Sequence, residues 1–126
     1  MSSLLGVWLF TQIIYQGQLM DRPNQNLKLY YIFNSEVQNE IYYYRDNENG
    51  YCKRLANYNI ISEKNLYIEQ TVIETDAQNN SECALDTDMQ IGNYSKTQFE
   101  IKNEKLYLYL PLGEDKIVYI FEQQMK

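Results

Sequence analysis

The sequence predicts an all-β protein built from antiparallel strands. Apolar and polar residues alternate along short segments, turn-forming residues recur at intervals of about ten, and no segment repeats apolar residues with a helical period. The regular succession of strands and turns favours an up-and-down barrel of about eight strands over a sandwich, because closure removes exposed strand edges. The length of 126 residues predicts one domain, 1–126.

The first half of the chain contains four predicted strands. A long apolar segment, 4–15, is the first strand, and the polar stretch 16–26 is expected to be a loop because Pro and Asn interrupt strand pairing. Segments 27–33 and 41–45 alternate and are predicted to form a hairpin. An Asn-Gly turn at 46–50 leads into the fourth strand, which runs to Ile61.

The second half continues the same pattern. Segment 66–73 is a strand, 75–82 is a polar loop, and the stretch from Cys83 to Tyr94 contains a weaker strand signal near Met89. The last predicted strands are 99–101, 106–110 and 117–121. Their short connections favour pairing of neighbours in the sequence.

Charge and hydropathy exclude two classes of partner. The chain has 17 acidic and 11 basic residues, a net charge of −6, and this balance repels nucleic acid. The longest apolar run, 4–15, is too short to span a bilayer. We therefore expect neither nucleic-acid binding nor a membrane span.

The residue types argue against catalysis. The absence of histidine removes the commonest general base and zinc ligand. Asp86 and Asp88 stand at alternate positions, but Ile91 replaces the glycine and Thr97 the glutamate that an EF-hand calcium loop needs. We expect a non-enzymatic protein with no cofactor and no metal site.

The two cysteines, Cys52 and Cys83, indicate a disulfide. Closing a loop of about 30 residues would contribute roughly 3 to 4 kcal/mol, and polar residues flank both cysteines. Two buried free thiols are the alternative. A disulfide implies an oxidising compartment, so we expect a secreted or periplasmic protein whose signal peptide has been removed.

One short motif suggests a family. Gly6-Val7-Trp8 opens the first strand, and with the strand pattern it resembles the calycins, the superfamily of small barrels that includes the lipocalins. The resemblance implies that Gly6 and Trp8 close one end of the barrel and that a late cation covers the indole. The last strand lacks arginine, which leaves Arg45 or Arg54 as candidates for this cation. Short bacterial lipocalin-like proteins match this layout best.

The thirteen tyrosines carry the functional hypothesis. Inward-facing tyrosines could bind a small apolar or amphipathic ligand, since each combines an apolar ring with a hydroxyl. Ordinary cross-strand aromatic packing is the alternative without function. The candidate ligand-binding residues are Tyr31, Phe33, Tyr43, Tyr58, Ile68 and Tyr109.

We therefore expect a lipocalin-like barrel that binds a small apolar or amphipathic molecule. The alternative is a protein-binding or inhibitor barrel whose interior is filled by side chains. In that case loops 16–26 and 75–82 would contact the protein partner.

Overall fold

A computed structural model describes residues 4–46 and 50–124. Its strands are β1 (Gly6–Tyr15), β2 (Gln18–Asp21), β3 (Leu27–Phe33), β4 (Gln38–Arg45), β5 (Cys52–Ser62), β6 (Leu66–Thr75), β7 (Tyr94–Lys102), β8 (Lys105–Leu112) and β9 (Asp115–Gln123). Two single-turn 3₁₀ helices, Cys83–Leu85 and Thr87–Met89, lie between β6 and β7. The predicted Asn-Gly turn falls partly on residues 47–49, which lie outside the described ranges. No helix in the described ranges is long and apolar enough to cross a membrane.

The strands form a closed barrel. β1 and β3 to β9 pair in sequence order, all antiparallel, and β9 pairs back onto β1. This arrangement confirms the predicted eight-stranded antiparallel barrel. Its inner face is set by the pairing register, because side chains alternate between the two faces of each strand.

β2 is an additional strand that the sequence did not predict. β1 pairs with β3 over Gly6–Leu9, and beyond a bulge after Phe10 it pairs with β2 instead. A tight turn at Gln16 and Gly17, both with positive φ, reverses the chain between β1 and β2. The expectation of a continuous loop over 16–26 was wrong. Every β2 residue is exposed, so this strand has no buried face and its sequence lacks the alternation of apolar and polar residues that predicts a strand.

Trp8 and Gly6 lie at one end of the barrel. Trp8 is 1% exposed and donates a hydrogen bond from Nε1 to the Leu4 carbonyl at 2.8 Å. Gly6 has φ +124°, and a Cβ there would lie 3.0 Å from Nε2 of Gln123, the residue paired with Trp8. Only glycine fits this backbone beside Gln123 without strain.

The opposite end carries the segment between β6 and β7, residues 76–93, which we call the lid. Backbone N–H groups of Asp86 and Met89 donate to carbonyls three residues earlier, and these bonds form the 3₁₀ turns. The predicted strand near Met89 was wrong for this reason. The Met89 side chain is buried against Tyr43 and Cys52.

Candidate ligand-binding site inside the barrel

Four polar side chains from consecutive strands form a connected cluster on the inner wall. Tyr31 (β3) donates from its hydroxyl to Gln70 Oε1 (β6) at 2.7 Å, and Asn39 Nδ2 (β4) donates to the same oxygen at 2.9 Å. Arg54 (β5) donates from Nη1 to Asn39 Oδ1 at 2.6 Å. We call these residues the polar cluster. The register places all four on the inner face, because Asn39 pairs with Phe33, Arg54 with Ile41 and Gln70 with Tyr58.

Arg54 is the unusual member of the polar cluster. Its side chain is in the barrel interior, 2% exposed, and its Nε has no hydrogen-bond partner. Among the described residues, none of the ion pairs within 4.0 Å involves Arg54. A buried cation without a paired anion is costly, because the low-dielectric interior does not replace its hydration.

The cation also lies against an aromatic ring of the same cluster. The Arg54 guanidinium is 5.8 Å from the Tyr31 ring centroid. Burial raises the pKa of the Tyr31 hydroxyl, and the positive charge of Arg54 opposes this rise. The cation–ring contacts of residues 4–46 and 50–124 do not include Trp8. Arg54 therefore does not cover the indole as the family resemblance suggested.

The lid is attached to β5 by covalent and polar contacts. Cys52 and Cys83 form the predicted disulfide. The Lys53 N–H donates to Asn79 Oδ1 at 2.9 Å, and Asn79 Nδ2 donates to the Lys53 carbonyl at 3.0 Å. The Asn80 N–H donates to the Tyr51 carbonyl at 2.8 Å. These contacts hold the lid over one side of the barrel end.

Two lid carboxylates lie near the inner wall. The Tyr43 hydroxyl donates to Asp86 at 2.7 Å, and burial together with this bond raises the pKa of Tyr43. The pKa of Asp88 is also raised, first by desolvation and then by the charge of Asp86, while Arg54 acts in the opposite direction. The described residues contain no cluster of three or more acidic or cysteine side chains that could hold a metal ion.

The inner wall beside the lid is apolar and remains partly accessible. Its side chains pack on the core yet are only half-buried, although the register directs them inward. Ile41 pairs with both Tyr31 and Arg54, so this accessible surface borders the polar cluster. The residues are Tyr15, Leu29, Ile41, Ile117 and Tyr119. We call them the apolar wall.

Five of the six predicted ligand-binding residues face inward, and four of them, Tyr31, Phe33, Tyr58 and Ile68, share one core cluster, whereas Tyr43 lies at the lid end with Cys52 and Met89. Tyr31, Phe33, Tyr43, Tyr58 and Ile68 are buried on the inner face. Phe33 packs on Tyr31 and Tyr58 with ring centroids 4.5 and 5.1 Å away, and the Tyr58 hydroxyl donates to the Ser35 carbonyl. Much of the surface of Tyr31, Phe33 and Tyr58 is therefore used in packing toward the Trp8 end.

Tyr109 is separate from the other five. It lies on the outer face, because its neighbours Leu108 and Leu110 face inward, and its hydroxyl bonds exposed Glu100. The pKa of Tyr109 rises to about 12 through partial burial and this bond. The alternation of Leu and Tyr over 106–110 was the sequence signal for this orientation.

Tyrosines also cluster on the outer wall of β3 to β5. The Tyr42 ring lies 5.6 to 6.1 Å from the rings of three others, Tyr30, Tyr44 and Tyr51. A hollow of about 190 Å³ nearby has mainly charged lining residues, including Glu40, Lys53 and Asp76. These rings pack on one another on the outer face and so do not line the barrel interior.

Sequence reasoning did not identify Asn39, Gln70 or Met89 as site residues. Asn39 stands in phase with Ile41 and Tyr43, so the inward position of a polar residue could have been read from the strand pattern. The contacts among Asn39, Gln70 and Arg54 have no sequence signal, because they depend on strand pairing. Met89 lies in irregular structure, where no periodicity applies.

No protein-family model matches the chain, and no curated protein matches it. Among solved structures, the chain is similar to the crystal structure of an uncharacterized protein from Bacteroides eggerthii DSM 20697. The TM-score is 0.61 at 13% identity, and the alignment covers 97% of this chain and 100% of that chain. At this identity the likeness supports the barrel fold alone.

Proposed function

We propose that this protein is a non-enzymatic, lipocalin-like barrel that binds one small apolar or amphipathic molecule between the apolar wall and the lid. The supporting observation is that the apolar wall faces inward but remains partly accessible. An eight-stranded barrel can either fill with side chains or hold one small ligand. Here the Trp8 end is filled, and accessible apolar surface remains on the lid side.

The first test is titration with N-phenylnaphthylamine, a neutral apolar fluorophore, combined with native mass spectrometry for co-purified molecules. Ile117→Trp places bulk on the apolar wall. Val118→Trp is the matched control, because Val118 is the next residue and lies on the opposite face of β9. We expect saturable binding that Ile117→Trp weakens about tenfold and Val118→Trp leaves unchanged. Absence of binding to the unmodified protein would contradict the proposal.

The second candidate is a barrel that binds a protein partner through loops 16–26 and 75–82. The observation in its favour is exposed apolar surface near the lid end, with Leu19 60% and Leu85 80% exposed. Leu19 lies on β2 within segment 16–26, whereas Leu85 lies just beyond segment 75–82. This candidate predicts that a crosslinked partner is lost with Leu19→Asp and kept with Val37→Asp, which changes an equally exposed residue in the β3–β4 turn.

Export is part of the proposal. The Cys52–Cys83 disulfide is typical of proteins in oxidising compartments, so we propose a secreted or periplasmic location. Alkylation of the freshly isolated, denatured protein tests this location. Labelling of both cysteines without prior reduction would contradict it.

A further inference from the structure

We infer that the ligand of this barrel is an anionic amphiphile whose acidic head group binds Arg54 and whose apolar part lies on the apolar wall. The inference rests on the proposed function and adds the charge class of the ligand. It starts from an interior arginine that is 2% exposed and has an unpartnered Nε.

The protein supplies hydrogen bonds to only part of the guanidinium. Nη1 donates to the Asn39 side chain and, at 3.4 Å, to its carbonyl. Both partners are neutral, so the positive charge is left uncompensated by them. Arginine binds carboxylate, sulfonate or phosphate oxygens with two parallel N–H groups, and an acidic head group would provide the missing negative charge.

The position of Arg54 allows one molecule to contact both surfaces. Ile41 lies between Tyr31 and Arg54 in the strand register, and it is the member of the apolar wall nearest the polar cluster. An apolar chain on Ile41 and Leu29 would thus place its end group beside the guanidinium and the Tyr31 hydroxyl. The Tyr31 hydroxyl already donates its proton to Gln70, so the guanidinium is the donor left for the end group.

The lid carboxylates set the competing charge. Desolvation and the charge of Asp86 raise the pKa of Asp88, whereas the charge of Arg54 lowers it. Neither forms an ion pair with Arg54 within 4.0 Å in the described part of the chain. An incoming anion would be attracted by Arg54 and repelled by Asp88.

The test compares two fluorophores with a common ring system. Anilinonaphthalene sulfonate carries one negative charge, and N-phenylnaphthylamine carries none. We expect Arg54→Met to weaken binding of the sulfonate about tenfold or more, as loss of a charged hydrogen bond predicts, and to leave the neutral fluorophore nearly unaffected. Lys53→Met is the matched control, because it removes the same charge from the outer face, where Lys53 pairs with Glu40.

Each outcome has a separate meaning. The inference would be overturned if Arg54→Met weakened binding of both fluorophores equally, or if it left sulfonate binding unchanged. In either case, binding of the neutral fluorophore to the unmodified protein would still support the proposed function. Failure of both to bind the unmodified protein would contradict the proposed function itself. Should Arg54→Met not fold, as judged by circular dichroism, Asp88→Asn provides the second measurement. It must strengthen sulfonate binding selectively, and an unchanged affinity would contradict the inference.

Discussion

Reduction of the Cys52–Cys83 disulfide should lower the free energy of unfolding by about 3.7 kcal/mol. The bond joins residues 31 apart, and loop-closure entropy for a loop of that length gives about 3.7 kcal/mol at 25 °C. The hydrogen bonds of Asn79 and Asn80 to β5, and of Tyr43 to Asp86, remain after reduction. The reduced folded state should therefore keep its lid, and the loss should arise in the unfolded chain.

Urea unfolding, followed by fluorescence of the one tryptophan, measures this loss with and without a phosphine reductant. Trp8 is 1% exposed and distant from the lid, so its signal reports global unfolding. With an ordinary dependence on urea, the midpoint should fall by about 2 M. Cys52→Ala/Cys83→Ala is the control and must not respond to the reductant. A loss below about 1 kcal/mol would refute the entropic argument, and one above about 6 kcal/mol would show that the lid leaves the folded barrel.

Three further predictions, at Trp8, Glu104 and Asp88, test the packing, turn geometry and lid charge. Trp8→Ala should lower the free energy of unfolding by about 3 to 5 kcal/mol because it opens a cavity in the core, and Trp8→Phe should lower it less; urea unfolding followed by circular dichroism measures both. Glu104→Gly should raise it by about 1 kcal/mol, since Glu104 has φ 63° in the β7–β8 turn, whereas Glu104→Ala, which keeps the Cβ, should give no gain. Asp88 has a raised pKa in the folded state, so its protonation stabilises the fold. This contribution is fully present below the usual pKa of 3.8 and is lost as the pH rises through the folded-state pKa. The melting temperature of the natural protein, relative to that of Asp88→Asn, should therefore fall as pH rises from about 3.8, and a constant difference would contradict the assigned shift.

Local pattern was sufficient for most of the architecture. Alternation along 27–33, 66–73 and 106–110 predicts strands because a strand exposes its two faces at a period of two. Turn residues between the strands predict neighbouring antiparallel pairs, and this regular hairpin order favours closure because it removes exposed strand edges. The same alternation made five of the six predicted site residues inward-facing.

The sequence by itself predicted the eight barrel strands and their order, and it favoured a buried Trp8 and a Cys52–Cys83 disulfide. Only the tertiary structure decided that Asn39, Arg54 and Gln70 share one hydrogen-bonded cluster, that Met89 of the lid is buried against Tyr43 and Cys52, and that β2 pairs with β1. The physical reason is that side chains alternate between the two faces of a strand, so the sequence pattern shows only which residues of one strand share a face. The register between strands, and the docking of irregular segments, arise from contacts between residues distant in the sequence. Those contacts place a charged arginine beside an accessible apolar surface.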